Sequence, residues 1–298
     1  MRIFLTGATG FIGSALVPEL LQAGHRVLGM TRSETGAQAL RAAGAEVHHG
    51  TLEDPDSLAR GAAQADAVIH AAFDHDFSNF AANCEKDKRA IAALGAALKG
   101  SDRPLLITSG TAVGIGEHGG LASEDIFNAK HASPRIGSEQ AGNALLEAGV
   151  NVSVMRLPQI HNPFRQGLIT PLAAIARDKG VVAYVGDGGN RWAAGHLSDA
   201  VRLYRHAIEK AQPGARYHAV GEEGVRSRAI AEALGRGLKL PVLSIAPGEA
   251  AAHFGWMAMF VQFDMPASSA LTQARLGWTP TGPTLIADLD EGRFVTEL

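Results

Sequence analysis

The chain has one cysteine, Cys84, in 298 residues. That excludes a disulfide within the chain and a zinc site built from several thiolates, and it fits a reducing, cytoplasmic setting. Tyrosine is scarce: Tyr184, Tyr204 and Tyr217 are the whole set. No apolar run reaches the ~18 residues that cross a bilayer. Met1-Arg2-Ile3 leads straight into a candidate strand with no signal-peptide pattern, so neither a membrane nor export is expected. Neither sign of charge dominates. Lys and Arg number 27 against 30 Asp and Glu, a net −3 spread along the chain, which gives no reason to expect a nucleic-acid partner. Low-complexity segments and internal repeats are also lacking. In contrast, 46% of residues are hydrophobic and 35 are glycine, enough for a large core and one or two domains.

Three of those glycines organise the rest. Residues 6 to 13 read Thr6-Gly7-Ala8-Thr9-Gly10-Phe11-Ile12-Gly13. They follow the apolar run Ile3-Phe4-Leu5 and open onto a helical pattern with apolar residues at 16, 17, 20 and 21. A strand, a glycine turn and a helix in that order make a diphosphate site. Gly7 permits the tight turn, Gly10 has no side chain to hold phosphates off the backbone, and Gly13 lets helix and strand approach. The unpaired N–H groups and positive end of the helix then face the anion.

Alternation continues down the chain. Strand patterns at 26–30, 46–49, 66–72, 104–109 and 150–157 are separated by helical patterns at 34–43, 57–62, 80–98 and 135–148. Such alternation predicts an α/β fold, a doubly wound parallel sheet with helices on both faces and ligands at the carboxyl ends of the strands. After Pro158 the pattern changes. Prolines and glycines become frequent, with a helix at 198–210, a strand at 216–220 and a helix at 227–238. The expected division is a dinucleotide-binding domain of 1–163 plus 192–222, and a smaller substrate cap of 164–191 plus 223–298.

These motifs, in this order, resemble the extended short-chain dehydrogenase/reductase superfamily, the NAD(P)-dependent epimerases, dehydratases and reductases. The likeness runs through Thr6–Gly13, Asp66-Ala-Val-Ile-His-Ala-Ala72, Arg156-Leu157-Pro158, Tyr184-Val185-Gly186-Asp187-Gly188 with His196 and Asp199, and Leu276-Gly277-Trp278-Thr279-Pro280. One part departs. The superfamily's acid–base pair is a Tyr followed four residues later by a Lys, near the start of the helix after strand five. Here the region reads Ser133-Pro134-Arg135-Ile136-Gly137-Ser138-Glu139, with Arg135 at the expected Tyr position and Glu139 at the Lys position. None of the three tyrosines has a Lys four residues on. The chain is therefore an atypical member by this resemblance.

For the cofactor, strand two ends in Met30-Thr31-Arg32-Ser33. An Arg between hydroxyls suits the 2′-phosphate of NADP, where NAD would want a carboxylate; a solvent-exposed loop arginine is the alternative. Thr51-Leu52 stands where the superfamily often has Asp-Leu beside the adenine. Ala71 and Ala72 let the backbone approach the cofactor, and Phe73 suits either packing or a wall of the nicotinamide pocket. His70 is expected to be satisfied in the core. The resemblance implies backbone contacts from Pro158, Gln159 and Ile160 to the nicotinamide amide.

For the chemistry, the resemblance puts a catalytic hydroxyl at the end of strand five, where Ser109 and Thr111 are expected to share one side. Arg135 either polarises a carbonyl or binds a substrate anion, or it forms a surface ion pair with Glu139. His131 could supply a proton near neutral pH. Arg191 is a substrate anchor or an ion-pair partner of Asp187. Trp192 and Trp256 are substrate-side residues that could equally be packing. The expectation is an NADP-dependent oxidoreductase, acting by hydride transfer on a small, fairly apolar carbonyl or related unsaturated substrate, without the Tyr/Lys pair. The alternatives are a catalytically silent NADP-binding sensor and a nucleotide-sugar epimerase or dehydratase. No metal is expected. A homodimer through helices 80–98 and 135–148 is implied by the resemblance alone.

Overall fold

The computed structural model describes residues 1–293. Its first half is built from β1 (Arg2–Thr6), α1 (Phe11–Gln22), β2 (Arg26–Thr31), α2 (Glu34–Ala42), β3 (Glu46–His49), α3 (Pro55–Ala63), β4 (Ala67–His70), α4 (Phe80–Ala96), β5 (Leu105–Gly110), α5 (Ile136–Glu147) and β6 (Val152–Leu157). The second half adds β7 (Gln159–His161), α6 (Ile169–Lys179), β8 (Val182–Val185), β9 (Arg191–His196), α7 (Leu197–Lys210), β10 (Arg216–His218), β11 (Glu222–Arg226), α8 (Ser227–Leu238), β12 (Val242–Ile245), α9 (Ala250–Phe254), α10 (Ala258–Gln262), α11 (Ala270–Leu276) and α12 (Leu285–Glu291).

Seven strands form one parallel sheet in the order β10-β6-β5-β4-β1-β2-β3. The order reverses beside β1, so a crevice opens between the ends of β1 and β4, where such sheets bind ligands. The alternation of side chains along a strand explains the two-sided core. Ile3 and Leu5 of β1 face α1 and α7, packing with Leu16, Leu20 and Tyr204. Phe4, between them, faces the other way and packs with Leu58 of α3 and Ile91 of α4. Each such fully buried apolar side chain contributes about 1.5–3 kcal/mol. Helix starts follow local chemistry. The Asp54 carboxylate accepts from the Ser57 N–H at 3.1 Å and Pro55 supplies a preset first turn for α3.

Two small sheets lie in a second layer. One has the order β11-β9-β7, with β7 parallel and β11 antiparallel to β9; the other pairs β8 with β12 in parallel. They share a separate apolar core with α6, α8, α9 and α12, including Ile169, Ile230, Leu234, Phe254 and Leu289. Strand β9 straddles the expected division at 191/192: its Trp192 and Ala194 join this second core, while α7, which follows it, packs on α1. Of the expected cap, positions 294–298 lie outside the described residues. Several strands are shorter than their sequence patterns. The strand expected from 150 starts at Val152, because the Val150 N–H still bonds to Leu145 O at the end of α5. The strand expected over 216–220 stops at His218. Among the described residues no helix is long and apolar enough to cross a membrane.

Candidate active site

The glycine turn sits at the crevice. Gly7 has φ +70°, and a Cβ there would fall 2.8 Å from the Ala72 N and 2.9 Å from the Ala71 carbonyl, so the turn lies directly against the end of β4. A Cβ on Gly13 would lie 2.0 Å from the Gly7 carbonyl oxygen. Gly10 is the N-cap of α1, and among the described residues no side chain caps that helix end. The N–H groups of its first turn, at Phe11, Ile12 and Gly13, thus face the crevice without a side-chain acceptor. Thr9 stands in the same turn, its methyl near Gly36 of α2. These features fit a dinucleotide's diphosphate.

The neighbouring strand ends are arranged around this turn. At the end of β2, Thr31 is buried, and Ser33 Oγ accepts from the Gly36 N–H at 3.1 Å and so caps α2. Arg32 between them is exposed and has no hydrogen-bond or ion-pair partner among the described residues. After β3, Thr51 Oγ1 bonds to the Glu53 carboxylate and Leu52 is half-buried. Lys86 of α4 lies 2.7 Å from both Glu53 and Asp74, tying the loops after β3 and β4 together. Its ammonium and the Thr51 hydroxyl hold the Glu53 pKa down to about 2.

A buried polar chain connects the turn to the helix after β5. Thr6 Oγ1 accepts from the Ala72 N–H at 3.2 Å and shares a hydrogen bond with His70 Nδ1 at 2.8 Å. His70 Nε2 donates to Asp87 of α4 at 3.0 Å. Asp87, fully buried, also accepts from Arg135 Nη1 at 2.5 Å and Ser138 Oγ at 2.6 Å. Burial alone would raise its pKa; Arg135, His70 and Ser138 outweigh that and hold it at about 2. Arg135 reaches further, donating from Nη2 to Thr108 O at 2.9 Å and lying 4.0 Å above the Phe73 ring. Arg135 is therefore a fixed, charge-compensated group that holds the end of β5.

This corrects the expected Arg135–Glu139 pair. The Arg135 partner is Asp87, and Glu139 turns to β6 and β10. It accepts from Arg156 at 2.7 and 2.8 Å and from Arg216 at 3.0 Å. Burial opposes its charge, but the two guanidiniums keep its pKa below the ordinary value. Glu139 therefore does not face the crevice. The four-residue spacing is also met by His131 and Arg135, and of the two registers only this one puts its second member against the end of β5. His131 Nδ1 accepts from the Ser133 N–H at 3.1 Å. Since Nδ1 accepts, the imidazole carries its proton on Nε2. Partial burial lowers its pKa and favours this neutral form.

Strand β5 ends in Thr108, Ser109 and Gly110. Thr108 Oγ1 donates to His70 O at 2.7 Å and bonds to Tyr204 OH at 2.7 Å; burial pushes the Tyr204 phenol pKa up. Ser109 is 3% exposed, and among the described residues its Oγ has no hydrogen-bond partner. A buried hydroxyl without a partner is costly, and a ligand oxygen would satisfy it. Thr111 is buried but starts a turn of 3-10 helix, so it does not continue the alternation expected from Ser109.

On the substrate side, Gln159 donates to Gln166 O at 2.6 Å and accepts from the Leu168 N–H at 2.9 Å. With its amide spent on that segment, only the backbone of Pro158, Gln159 and Ile160 is left for a cofactor. Arg191 pairs with Asp264, at 2.7 Å from Nη2, and not with Asp187 as one expectation had it. Trp192 is 3% exposed inside the second core. Trp256 is 41% exposed and stacks on Phe77, centroids 4.6 Å apart. The sequence reading missed Asp87, whose helical pattern gave no sign of a buried carboxylate. It also missed Arg165, whose guanidinium lies 5.5 Å from the Phe11 ring at the head of α1. Among the described residues no cluster of His, Cys, Asp or Glu could hold a metal.

Fold and crevice together define a dinucleotide-binding α/β protein. A model of the NAD dependent epimerase/dehydratase family matches residues 3–220, and the chain belongs to that family. It is 47% identical over 290 residues to uncharacterized protein C2A9.02 of Schizosaccharomyces pombe, covering 97% of this chain and 98% of that one. It is 30% identical over 227 residues to a 2-alkyl-3-oxoalkanoate reductase of Stenotrophomonas maltophilia, covering 72% of this chain and 67% of the relative. In fold it is similar to DesIV, a dTDP-glucose 4,6-dehydratase from Streptomyces venezuelae solved with NAD, at TM-score 0.80 and 20% identity over 100% of this chain and 97% of that one. Family and relatives together indicate NAD(P)-dependent oxidoreductase, dehydratase or epimerase activity.

Proposed function

We propose that the protein is an NADP-dependent reductase of a carbonyl group, or of a related unsaturated group, in a small and fairly apolar substrate. The observation that carries this reading is Ser109 Oγ, buried at the end of β5 with no partner among the described residues. A substrate oxygen reaching the end of β5 would give that hydroxyl the acceptor it lacks. The relative named as a 2-alkyl-3-oxoalkanoate reductase supports a ketone as that oxygen's source.

The uncapped turn at Phe11, Ile12 and Gly13 would hold the diphosphate, and exposed Arg32 the 2′-phosphate by charge-assisted hydrogen bonds. NADPH, when bound, supplies the hydride. The protein's own groups handle the oxygen. Ser109 donates a hydrogen bond to the carbonyl and stabilises the charge that develops on it. His131, whose Nδ1 accepts from the Ser133 N–H and whose proton therefore sits on Nε2, would add a second hydrogen bond to that oxygen as a neutral imidazole. It cannot give that proton away without becoming an anion, so the proton that completes the alcohol comes from water. Arg135, compensated by Asp87, positions Thr108 and hence Ser109. The fixed hydrogen-bond donors replace the phenol of the family's usual pair.

NADPH oxidation is the test, followed by the loss of reduced-nicotinamide absorbance, against ketones, diketones, imines and enones. Turnover faster with NADPH than NADH is expected. Tight NADPH binding with no turnover of any of them would overturn the reading in favour of a cofactor sensor.

A further inference from the structure

A row of aromatic rings leads out of the crevice. Phe73, under the Arg135 guanidinium, lies 6.2 Å from Phe80. Phe80 lies 5.6 Å from Phe77, and Phe77 stacks on Trp256 at 4.6 Å with 5° between the planes. Phe260 closes the row edge-on to Phe77 and Trp256. Two separate stretches of chain build it: the loop and helix start after β4, and the segment around α10 in the second layer.

Its setting separates this row from ordinary packing. Phe73, Phe77, Phe80 and Trp256 belong to none of the buried cores. The chain's other two tryptophans are 3% (Trp192) and 1% (Trp278) exposed, whereas Trp256 is 41% exposed although Phe77 covers one of its faces. The opposite face of the indole is thus open to solvent. Met259 beside it is 47% exposed. Contiguous apolar surface of this kind at the mouth of a cleft marks a binding surface.

We infer that this row is a stacking platform for the non-reacting part of the substrate, and that the substrate is a carbonyl compound carrying a flat aromatic or conjugated ring. The inference rests on the reductase reading of Ser109. An alkyl chain would gain only from burial against such a wall. A flat ring also gains from offset stacking on the open indole face, and the row's own near-parallel Phe77–Trp256 pair shows the geometry. The row begins at Phe73 beside the end of β4, and its open indole face lies at the far end, beyond Phe80 and Phe77, so a ring stacked there needs a spacer running back along the row between it and the carbonyl.

The experiment uses the full chain saturated with oxidised NADP and two alcohols of equal carbon number, methyl phenylbutyl carbinol and methyl decyl carbinol. Acrylamide quenching of tryptophan fluorescence reports Trp256, because Trp192 and Trp278 are buried. The aryl alcohol should reduce quenching and the alkyl alcohol should not. In parallel, NADPH-dependent reduction of methyl phenylbutyl ketone should exceed that of methyl decyl ketone. Trp256→Ala should raise KM for the aryl ketone about fivefold with kcat unchanged, Trp256→Phe restoring most of it. Turnover of both ketones with equal kcat/KM, unprotected Trp256 and no effect of Trp256→Ala would overturn the platform and leave the reductase reading standing. Protection of Trp256 by the aryl alcohol without turnover of either ketone would support the platform and count against the reductase.

Discussion

Replacing Asp87 by Asn removes the one charge that three buried or half-buried groups share. Asp87 accepts from Arg135 at 2.5 Å, Ser138 at 2.6 Å and His70 at 3.0 Å, and its side chain has no exposed surface. Asn keeps the size but leaves the Arg135 guanidinium, with 15% of its side chain exposed, without a counter-charge. Breaking one half of a buried pair costs about 3–5 kcal/mol, and Asp87→Asn is expected to lose that much at pH 7. The pH dependence gives a second check. The folded pKa of about 2 lies below the value of about 3.9 for an unfolded Asp. A carboxylate depressed by folding stabilises above its unfolded pKa, and that stability is lost as pH falls through the folded one. The wild type should therefore lose about 2–3 kcal/mol from this group between about pH 4 and pH 2, and the gap to Asp87→Asn should narrow over that window. Urea unfolding at a series of pH values, followed by the fluorescence of buried Trp192 and Trp278, measures both. Unfolding curves for the two proteins that agree to within about 0.5 kcal/mol at pH 7 would refute the assignment of Arg135 and His70 to this carboxylate.

Other substitutions separate binding from chemistry. Ser109→Ala is expected to cut kcat/KM for the reduced ketone by about 10²–10³-fold, with NADPH affinity unchanged. Because Ser109 Oγ has no partner among the described residues, the same variant should melt no lower than wild type. Arg32→Glu should weaken NADPH binding by about 10–100-fold while NADH binding changes little; calorimetric titration with each cofactor reads this, and equal losses for both would sink the 2′-phosphate assignment. Gly13→Ala places a Cβ 2.0 Å from the Gly7 carbonyl oxygen, so turn and helix must part and binding of either dinucleotide should be abolished. Arg191→Ala removes a pair whose side chains are 44% and 43% exposed, and stability should fall by less than about 1 kcal/mol; a large rise in KM would instead restore a substrate-anchoring role.

Much of the fold was legible because its determinants are local. Alternating apolar patterns set strands and helices within a residue or two, and the glycines at 7, 10 and 13 announced a turn that only residues without Cβ atoms could make. Strand breaks near Val150 and His218 were missed because they depend on which distant carbonyl captures an N–H. The site was less legible. Arg135 and Glu139 stand at helix-neighbour spacing, and sequence alone could only weigh their pairing against separation. The structure sends one to α4 and the end of β5 and the other to β6 and β10.

By itself the sequence determined a doubly wound sheet, a glycine turn between its first strand and first helix, and the lack of any tyrosine followed four residues on by a lysine. These follow from residue type and short-range spacing. Only the tertiary structure decided that Asp87 compensates Arg135, that Ser109 keeps a buried hydroxyl free, and that Phe73, Phe77, Phe80 and Trp256 form one row. Each of those facts joins groups far apart in the chain, and partner choice between distant groups is fixed by how the sheet and its covering layer pack, not by any pattern that runs along the sequence.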